Sequence, residues 1–247
     1  MKNYKMVLAY DGTRYNGWQK QGNTENTIQE KLERILQEIS GAETEVFGSG
    51  RTDAGTHATG QVMNFHINWN GTAEQLLDAF NAKLPEDIAA LSVAEMPPRF
   101  HSRLSAKAKH YSYSIWIGKH SPVFERKYTF RCTEMLDVQA MRQAAAAFIG
   151  THDFKSFCQT GAQVESSVRT IYSVEVEEQG ENDLVIRVCG NGFLYNMVRI
   201  IAGTLLDIGQ GKRDPMDIFT ILEAKDRSAA GPTAPAHGLT LMKYEFL

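Results

Sequence analysis

Ala106-Lys107-Ala108-Lys109-His110-Tyr111-Ser112-Tyr113-Ser114-Ile115-Trp116-Ile117 puts Tyr111, Tyr113, Ile115 and Ile117 at the same parity. Alternation of this kind is the signature of a strand with one apolar face. The strand restarts an order of elements that has already run once. Upstream, Tyr4–Tyr10 reads as a strand and Asp11–Asn23 as a polar, Gly-rich loop holding Trp18. Thr27 with Glu30 forms a capping box, and Ile28, Leu32, Ile35, Leu36 and Ile39 then share a helical face until Gly41 stops the helix. Short strands around Thr44–Phe47 and Gln61–Ile67 flank the loop Gly48–Gly60. Thr72 and Gln75 cap a second helix through Lys83, with Leu76, Leu77 and Phe80 inward, and Ile88–Glu95 is a strand.

Downstream of the central strand, a helix follows Asp137 through Phe148. Val168–Glu178 and Asp183–Cys189 are paired strands with Gln179–Asn182 as the turn, and Phe193–Ile208 is a mostly apolar helix. Asp214-Pro215 opens a further helix to Ala224. Arg227–Gly238 is a loop rich in Ala, Gly and Pro, and Leu239–Phe246 is a closing strand. Each half therefore reads strand, helix, strand, strand, helix, strand, with one extra helix in the second. The expected class is α+β: two ferredoxin-like βαββαβ halves, 1–105 and 106–247, joined into one mixed, mainly antiparallel sheet with helices on one face.

The composition, 43% hydrophobic and 22% charged, is that of an ordinary globular chain. No apolar run approaches the ~20 residues a membrane span needs. The start leads directly into a strand, so no signal peptide is expected. Cys132, Cys158 and Cys189 are odd in number and lack a C-x-x-C, which argues against disulfides and zinc and fits a reducing cytoplasm. Neither a P-loop nor a G-x-G-x-x-G occurs, so nothing points to a nucleotide cofactor.

The formal charge of −3 hides an asymmetry. Between Pro97 and Arg131, eight Lys/Arg (Arg99, Arg103, Lys107, Lys109, Lys119, Arg126, Lys127, Arg131) face one acid, Glu125, for a local +7. Such a stretch on an acidic body suits either a localised anionic partner or a solvated basic face. Its Arg99-Phe100-His101-Ser102-Arg103 and Lys107–Tyr113 portions interleave cations with aromatic rings, as unstacked nucleic-acid bases require. Tyr113 belongs with the core. Tyr111 lies near one end of the same face, as the floor of a pocket or beneath it.

Punctuation is densest in Gly48-Ser49-Gly50-Arg51-Thr52-Asp53-Ala54-Gly55-Thr56-His57-Ala58-Thr59-Gly60. Asp53, kept ionised by Arg51, has the makings of a nucleophile. The commoner use of an aspartate in a Gly-rich turn is structural, with Asp53 capping backbone N–H groups and Arg51 paired with it at the surface. The spacing is not that of a hydrolase elbow, a metal shared by Asp53 and His57 lacks further ligands, and a phosphate nest lacks the P-loop ending. Farther on, Arg199 is the single charge in Asn191–Leu206, on a helix whose Leu194, Val198, Ile201 and Leu205 share a face. It needs an anionic partner unless it snorkels at the helix rim.

Gly50-Arg51-Thr52-Asp53-Ala54-Gly55 with His57-Ala58 resembles the signature loop of the tRNA pseudouridine synthase A family. Tyr10-Asp11-Gly12, Gly17-Trp18-Gln19, Phe100-His101, Ser105-Ala106, Tyr111, Asp153-Phe154, Arg169-Thr170-Ile171, Asn196-Met197-Val198-Arg199, Gly203-Thr204-Leu205 and Ala234-Pro235 through Gly238-Leu239 resemble family blocks in the family order. Ser49, Thr56, Ser102 and Leu104 depart from the more usual Ala, Val, Ala and Phe. The resemblance implies a cofactor- and metal-independent isomerase, a homodimer whose two subunits hold a tRNA and convert uridine at positions 38 to 40 of the anticodon arm. By the same resemblance Asp53 is the catalytic nucleophile, Arg199 its ion-pair partner, Tyr111 the residue that stacks on the target base, and Arg51 the holder of the flipped nucleotide. The competing readings are a catalytically silent tRNA-binding or tRNA-folding protein, an Asp-dependent RNA hydrolase or nuclease, and a synthase for another RNA.

Overall fold

The computed structural model describes residues 1–161 and 165–246. In chain order its elements are β1 (Lys2–Tyr10), α1 (Ile28–Ser40), β2 (Phe47–Gly48), β3 (His57–Ile67), α2 (Ala73–Asn81), β4 (Ile88–Met96), α3 (Ser102–Ser105) and β5 (Ala106–Ile117). There follow β6 (Phe130–Cys132), α4 (Val138–Ala146), β7 (Gly150–Asp153), β8 (Val168–Glu178), β9 (Asp183–Gly190), α5 (Met197–Gly209), α6 (Asp217–Ala224) and β10 (Leu239–Phe246). The chain divides into two compact units, Met1–Lys107 with Leu241–Leu247 and Ala108–Thr240. Both are α+β. No helix among the described residues is long and apolar enough to cross a membrane.

In the first unit β1 lies between β4 and β3, antiparallel to both, and β2 pairs antiparallel with β3. The order 4-1-3-2 is that of a ferredoxin-like unit, and β10 also borders β3. Tyr4, Met6, Leu8 and Tyr10 point to one fully buried face, and Tyr4 and Met6 sit opposite Phe65 and Met63. Buried Ile28, Leu32, Ile35 and Leu36 of α1 and Leu76 and Phe80 of α2 supply the helical part of this core, with α2 against β4 and α1. The α2 box closes both ways: the Gln75 N–H donates to Thr72 Oγ1 (3.2 Å) and the Thr72 N–H to Gln75 Oε1 (2.9 Å). At α1 only half the expected box forms. The Glu30 N–H donates to Thr27 Oγ1, but the Glu30 carboxylate turns to Lys20 at 3.1 Å, because an ion pair outcompetes the neutral amide.

The second unit runs β5-β9-β8-β7, each neighbour antiparallel, with β6 added parallel to β5. Its β5-β9-β8 run repeats the 1-3-2 part of the ferredoxin-like order. Tyr111, Tyr113 and Ile115 stand opposite Val188, Ile186 and Leu184, and Val174 and Val176 of β8 continue the same buried face. Helix α4 packs on β8 and α5. Phe148, Phe154 and Phe157 are fully buried and meet edge to face, with centroids 5.1 Å apart for the first and last.

Several boundaries differ from the sequence expectation. The strand expected at Thr44–Phe47 shrinks to Phe47–Gly48, and β3 begins at His57, so the last four residues of the expected loop are strand. Cross-strand pairing of Ala58 with Tyr10 draws them into the sheet. Helix α5 begins at Met197 rather than Phe193, because Asn196 adopts the left-handed region (φ +60, ψ 7) and breaks the helix there. The single turn α3 and strands β6 and β7 were not anticipated; three or four residues are too few to show a period.

Gly203 lies inside α5, where alanine is normally preferred by about 1 kcal/mol. Here a Cβ would sit 1.9 Å from the Pro232 carbonyl oxygen. Gly203→Ala is therefore expected to destabilise the protein by roughly 1–3 kcal/mol, read as a lower midpoint in thermal or urea unfolding. A neutral or stabilising outcome would show that the 232–234 segment does not press on this helix.

Candidate active site

Asp53 opens a tight turn: its carbonyl accepts from the Thr56 N–H (3.1 Å), and Gly55 has φ +77, a conformation that favours glycine. The turn is held from below and from the side. The Trp18 N–H donates to the Thr52 carbonyl (3.0 Å) and the Gly55 N–H to the Tyr15 carbonyl (3.3 Å), tying the turn to the 15–18 loop. The hydroxyls of Tyr10 and Thr52 are 2.8 Å apart, and Gln61 Nε2 donates to the Gly50 carbonyl (3.0 Å). Burial pushes the Tyr10 phenol up to about 12, so it stays a neutral hydroxyl at ordinary pH. With backbone or side-chain groups of residues 50, 52, 53 and 55 bonded, half-buried Asp53 sits on a braced loop.

Arg51, two residues away, is exposed and makes no ion pair or hydrogen bond among the described residues. The surface pair with Asp53 considered from the sequence does not form. His57 is buried at the start of β3, and its Nδ1 lies 3.0 Å from the Gly12 nitrogen and 3.3 Å from Asp11 Oδ1. Among the described residues no group of three or more His, Cys, Asp and Glu is arranged to hold a metal ion.

The first part of the basic stretch is anchored at the base of this loop. Buried Asn64 links Asn3 to Ser102: its Nδ2 donates to Asn3 Oδ1 (3.1 Å), and its Oδ1 accepts from the Ser102 N–H (2.8 Å). Asn3 in turn donates to the Phe100 and Pro97 carbonyls. Ser49 Oγ donates to the Ser102 carbonyl (3.0 Å), and Ser102 Oγ to the Phe47 carbonyl. The α3 turn thus rides on residues 47–49 and presents exposed Arg99, Arg103 and Lys107, whose side chains have no ion pair among the described residues. Lys2, Arg14 and Lys83 of the same unit behave otherwise, each reaching a carboxylate.

Tyr111 and Arg199 belong to the second unit. Tyr111 is 8% exposed, and its ring meets Phe193 edge to face, centroids 5.2 Å apart. Arg199 is half-buried in the first turn of α5. Its Nε donates to the Ala234 carbonyl (2.7 Å) and its Nη1 to Asn196 Oδ1 (2.9 Å). The Ala234 N–H donates back to the Arg199 carbonyl (3.1 Å). Burial raises the Tyr113 pKa, and the Arg199 charge opposes that shift. Asn196 escaped the sequence reading as a site residue. The available signal was its residue type, since Asn is among the few side chains that tolerate the left-handed region where a helix starts abruptly.

Thr56 Oγ1 is buried without a hydrogen-bond partner among the described residues. An unsatisfied buried hydroxyl is a net cost. Thr56→Val, which keeps the shape and removes the hydroxyl, is expected to raise stability by about 1 kcal/mol. A lower unfolding midpoint for the variant would mean that the hydroxyl is satisfied.

A family model described as "tRNA pseudouridine synthase" matches residues 6–104 and 144–246. The chain is 47% identical over 247 residues to tRNA pseudouridine synthase A of Bacillus sp. (strain KSM-64), covering 100% of both chains. It is 46% identical over 243 residues to the protein of the same name from Clostridium acetobutylicum, covering 98% of this chain and 99% of that one. To that of Geobacillus kaustophilus it is 48% identical over 240 residues, covering 97% and 92%. A solved Cbf5-Nop10-Gar1 complex is similar at TM-score 0.38 and 13% identity, over 96% of this chain and 48% of that one, too loosely to bear on the assignment. The matched residues span both units and include the Asp53 loop, Arg199 and the 232–234 segment, and on them the chain belongs to the tRNA pseudouridine synthase family, isomerases that convert uridine in tRNA to pseudouridine.

Proposed function

We propose that the chain isomerises uridine to pseudouridine in the anticodon arm of tRNA, at positions 38 to 40, with Asp53 as the nucleophile. The observation that carries this reading is half-buried Asp53 on a braced loop, with Arg51 two residues away and without an ion pair among the described residues. A nucleophile gains most when its backbone is fixed before the substrate arrives. The reaction breaks the glycosidic C–N bond and joins C5 of the same base to the same sugar carbon. It is redox-neutral: the proton lost from C5 balances the one gained at the freed ring nitrogen.

The target base is stacked in a stem and is flipped out at a cost of a few kcal/mol. Arg51, exposed and without an ion pair among the described residues, serves the phosphate beside the flipped nucleotide. Polyanionic RNA raises the pKa of a nearby carboxylate, and the charge of Arg199, as ion-pair partner, keeps Asp53 ionised against that field. Tyr111, nearly buried and backed by Phe193, offers a ring on which the base stacks. Arg99, Arg103 and Lys107 take the flanking phosphates. The protein acts as a cytoplasmic homodimer, as the family resemblance implies.

Asp53→Asn is expected to leave tRNA binding intact and to bring isomerisation of an unmodified tRNA transcript below detection, with pseudouridines mapped by position. Turnover at the wild-type rate would sink the nucleophile assignment, and product outside positions 38 to 40 would sink the anticodon-arm reading. Arg103→Ala with Lys107→Ala is expected to weaken tRNA binding and to reduce the slope of log affinity against log salt by about 1 per lost phosphate contact. An unchanged slope would remove these residues from the RNA surface.

A further inference from the structure

Asn196 is one of two non-glycine residues with positive φ among the described residues. It occupies the N-cap position of α5, yet its side chain makes no cap bond. A capping Asn ordinarily accepts from amides two or three residues ahead, satisfying the helix end. Here the left-handed backbone accompanies a different use of the amide. Oδ1 accepts from Arg199 Nη1 (2.9 Å), and Nδ2 donates to Gln159 Oε1 (3.3 Å). The Gln159 N–H also donates to the Tyr195 carbonyl (3.0 Å), so the partner of Asn196 is itself pinned to the neighbouring backbone.

The other anchor of Arg199 is equally fixed. Ala234, which accepts from Nε, lies on a strap pressed against α5: the Gly231 N–H donates to Thr204 Oγ1 (2.9 Å), and the Pro232 carbonyl abuts Gly203. A guanidinium is planar, with its donors in a rigid fork. Bonds to two different nitrogens, one from the strap and one from Asn196, define both its plane and its rotation about the side-chain axis.

We infer that Asn196 is a positioning residue for the reaction, fixing the Arg199 guanidinium in the orientation in which it serves Asp53. The inference rests on the role of Arg199 given above. Asn196→Gly separates the side chain from the backbone, because glycine adopts φ +60 without strain. Its expected outcome is an unchanged melting temperature, tRNA affinity within about twofold, and kcat lowered by about tenfold or more, the order of loss that misplacing a catalytic group brings. Wild-type kcat, or a loss confined to KM, would overturn the inference.

A double-mutant cycle with Arg199→Ala completes the test. If Asn196 acts through Arg199, adding Asn196→Gly to Arg199→Ala costs no further turnover. An additional loss as large as in the wild-type background would place its action elsewhere and overturn the inference. Full turnover by Arg199→Ala would instead defeat the reading of Arg199 itself. A dead Arg199→Ala beside a fully active Asn196→Gly would defeat only the positioning role.

Discussion

Thr52 is gripped from two directions, its carbonyl by the Trp18 amide and its hydroxyl by the buried Tyr10 phenol, and the geometry of the next residue, Asp53, follows from that grip. Both partners are rigid for simple reasons. Tyr10 ends β1 and pairs across to β3, and Trp18 is 2% exposed with its ring tilted against Tyr10. A carboxylate on such a loop has little backbone freedom left to lose when substrate binds, so less of the binding free energy is consumed in ordering it. The sheet of the first unit therefore acts as the scaffold of the candidate nucleophile, and the tight turn at Gly55 is the local device that lifts it from that scaffold.

Two groups stand out among the cations of the first unit. Lys2, Arg14 and Lys83 are consumed by carboxylates of the chain, so their fields are largely cancelled. Arg51, Arg99, Arg103 and Lys107 keep theirs, and the Asn3–Asn64–Ser102 chain holds the last three on the same base from which the Asp53 loop springs. Surface ion pairs add little to stability, so the lack of ion pairs to these four among the described residues costs the fold little while preserving attraction for an anion. The small net charge of −3 says nothing of this arrangement, because it sums over both groups.

Much of the architecture was legible along the chain. Alternation in β5 and the cap residues Thr27, Thr72 and Asp137 mark elements whose stabilising contacts are local or periodic, so their residues announce them. Elements of three or four residues carry no such period, and α3, β6 and β7 exist only because neighbours hold them. The half-formed box at Glu30 has the same origin: Lys20 is a stronger partner than the one a local rule assigns. The Asp53 loop is shorter than the glycines suggest because pairing of β3 with β1 reaches back to Ala58, a contact set by the sheet and not by the glycines.

What the sequence determined by itself was the α+β order of elements, the Gly-rich loop with its single carboxylate, and the isolated charge of Arg199 in an apolar helix. Those features depend on residue type and near-neighbour spacing. Tertiary structure alone decided that Ser49 meets Ser102 across 53 residues, that Arg51 has no ion pair or hydrogen bond among the described residues, and that Asn196 gives up its cap to hold Arg199. Each of these is a choice among competing hydrogen-bond partners, and that choice is settled only when folding brings distant segments within bonding range and excludes water from between them.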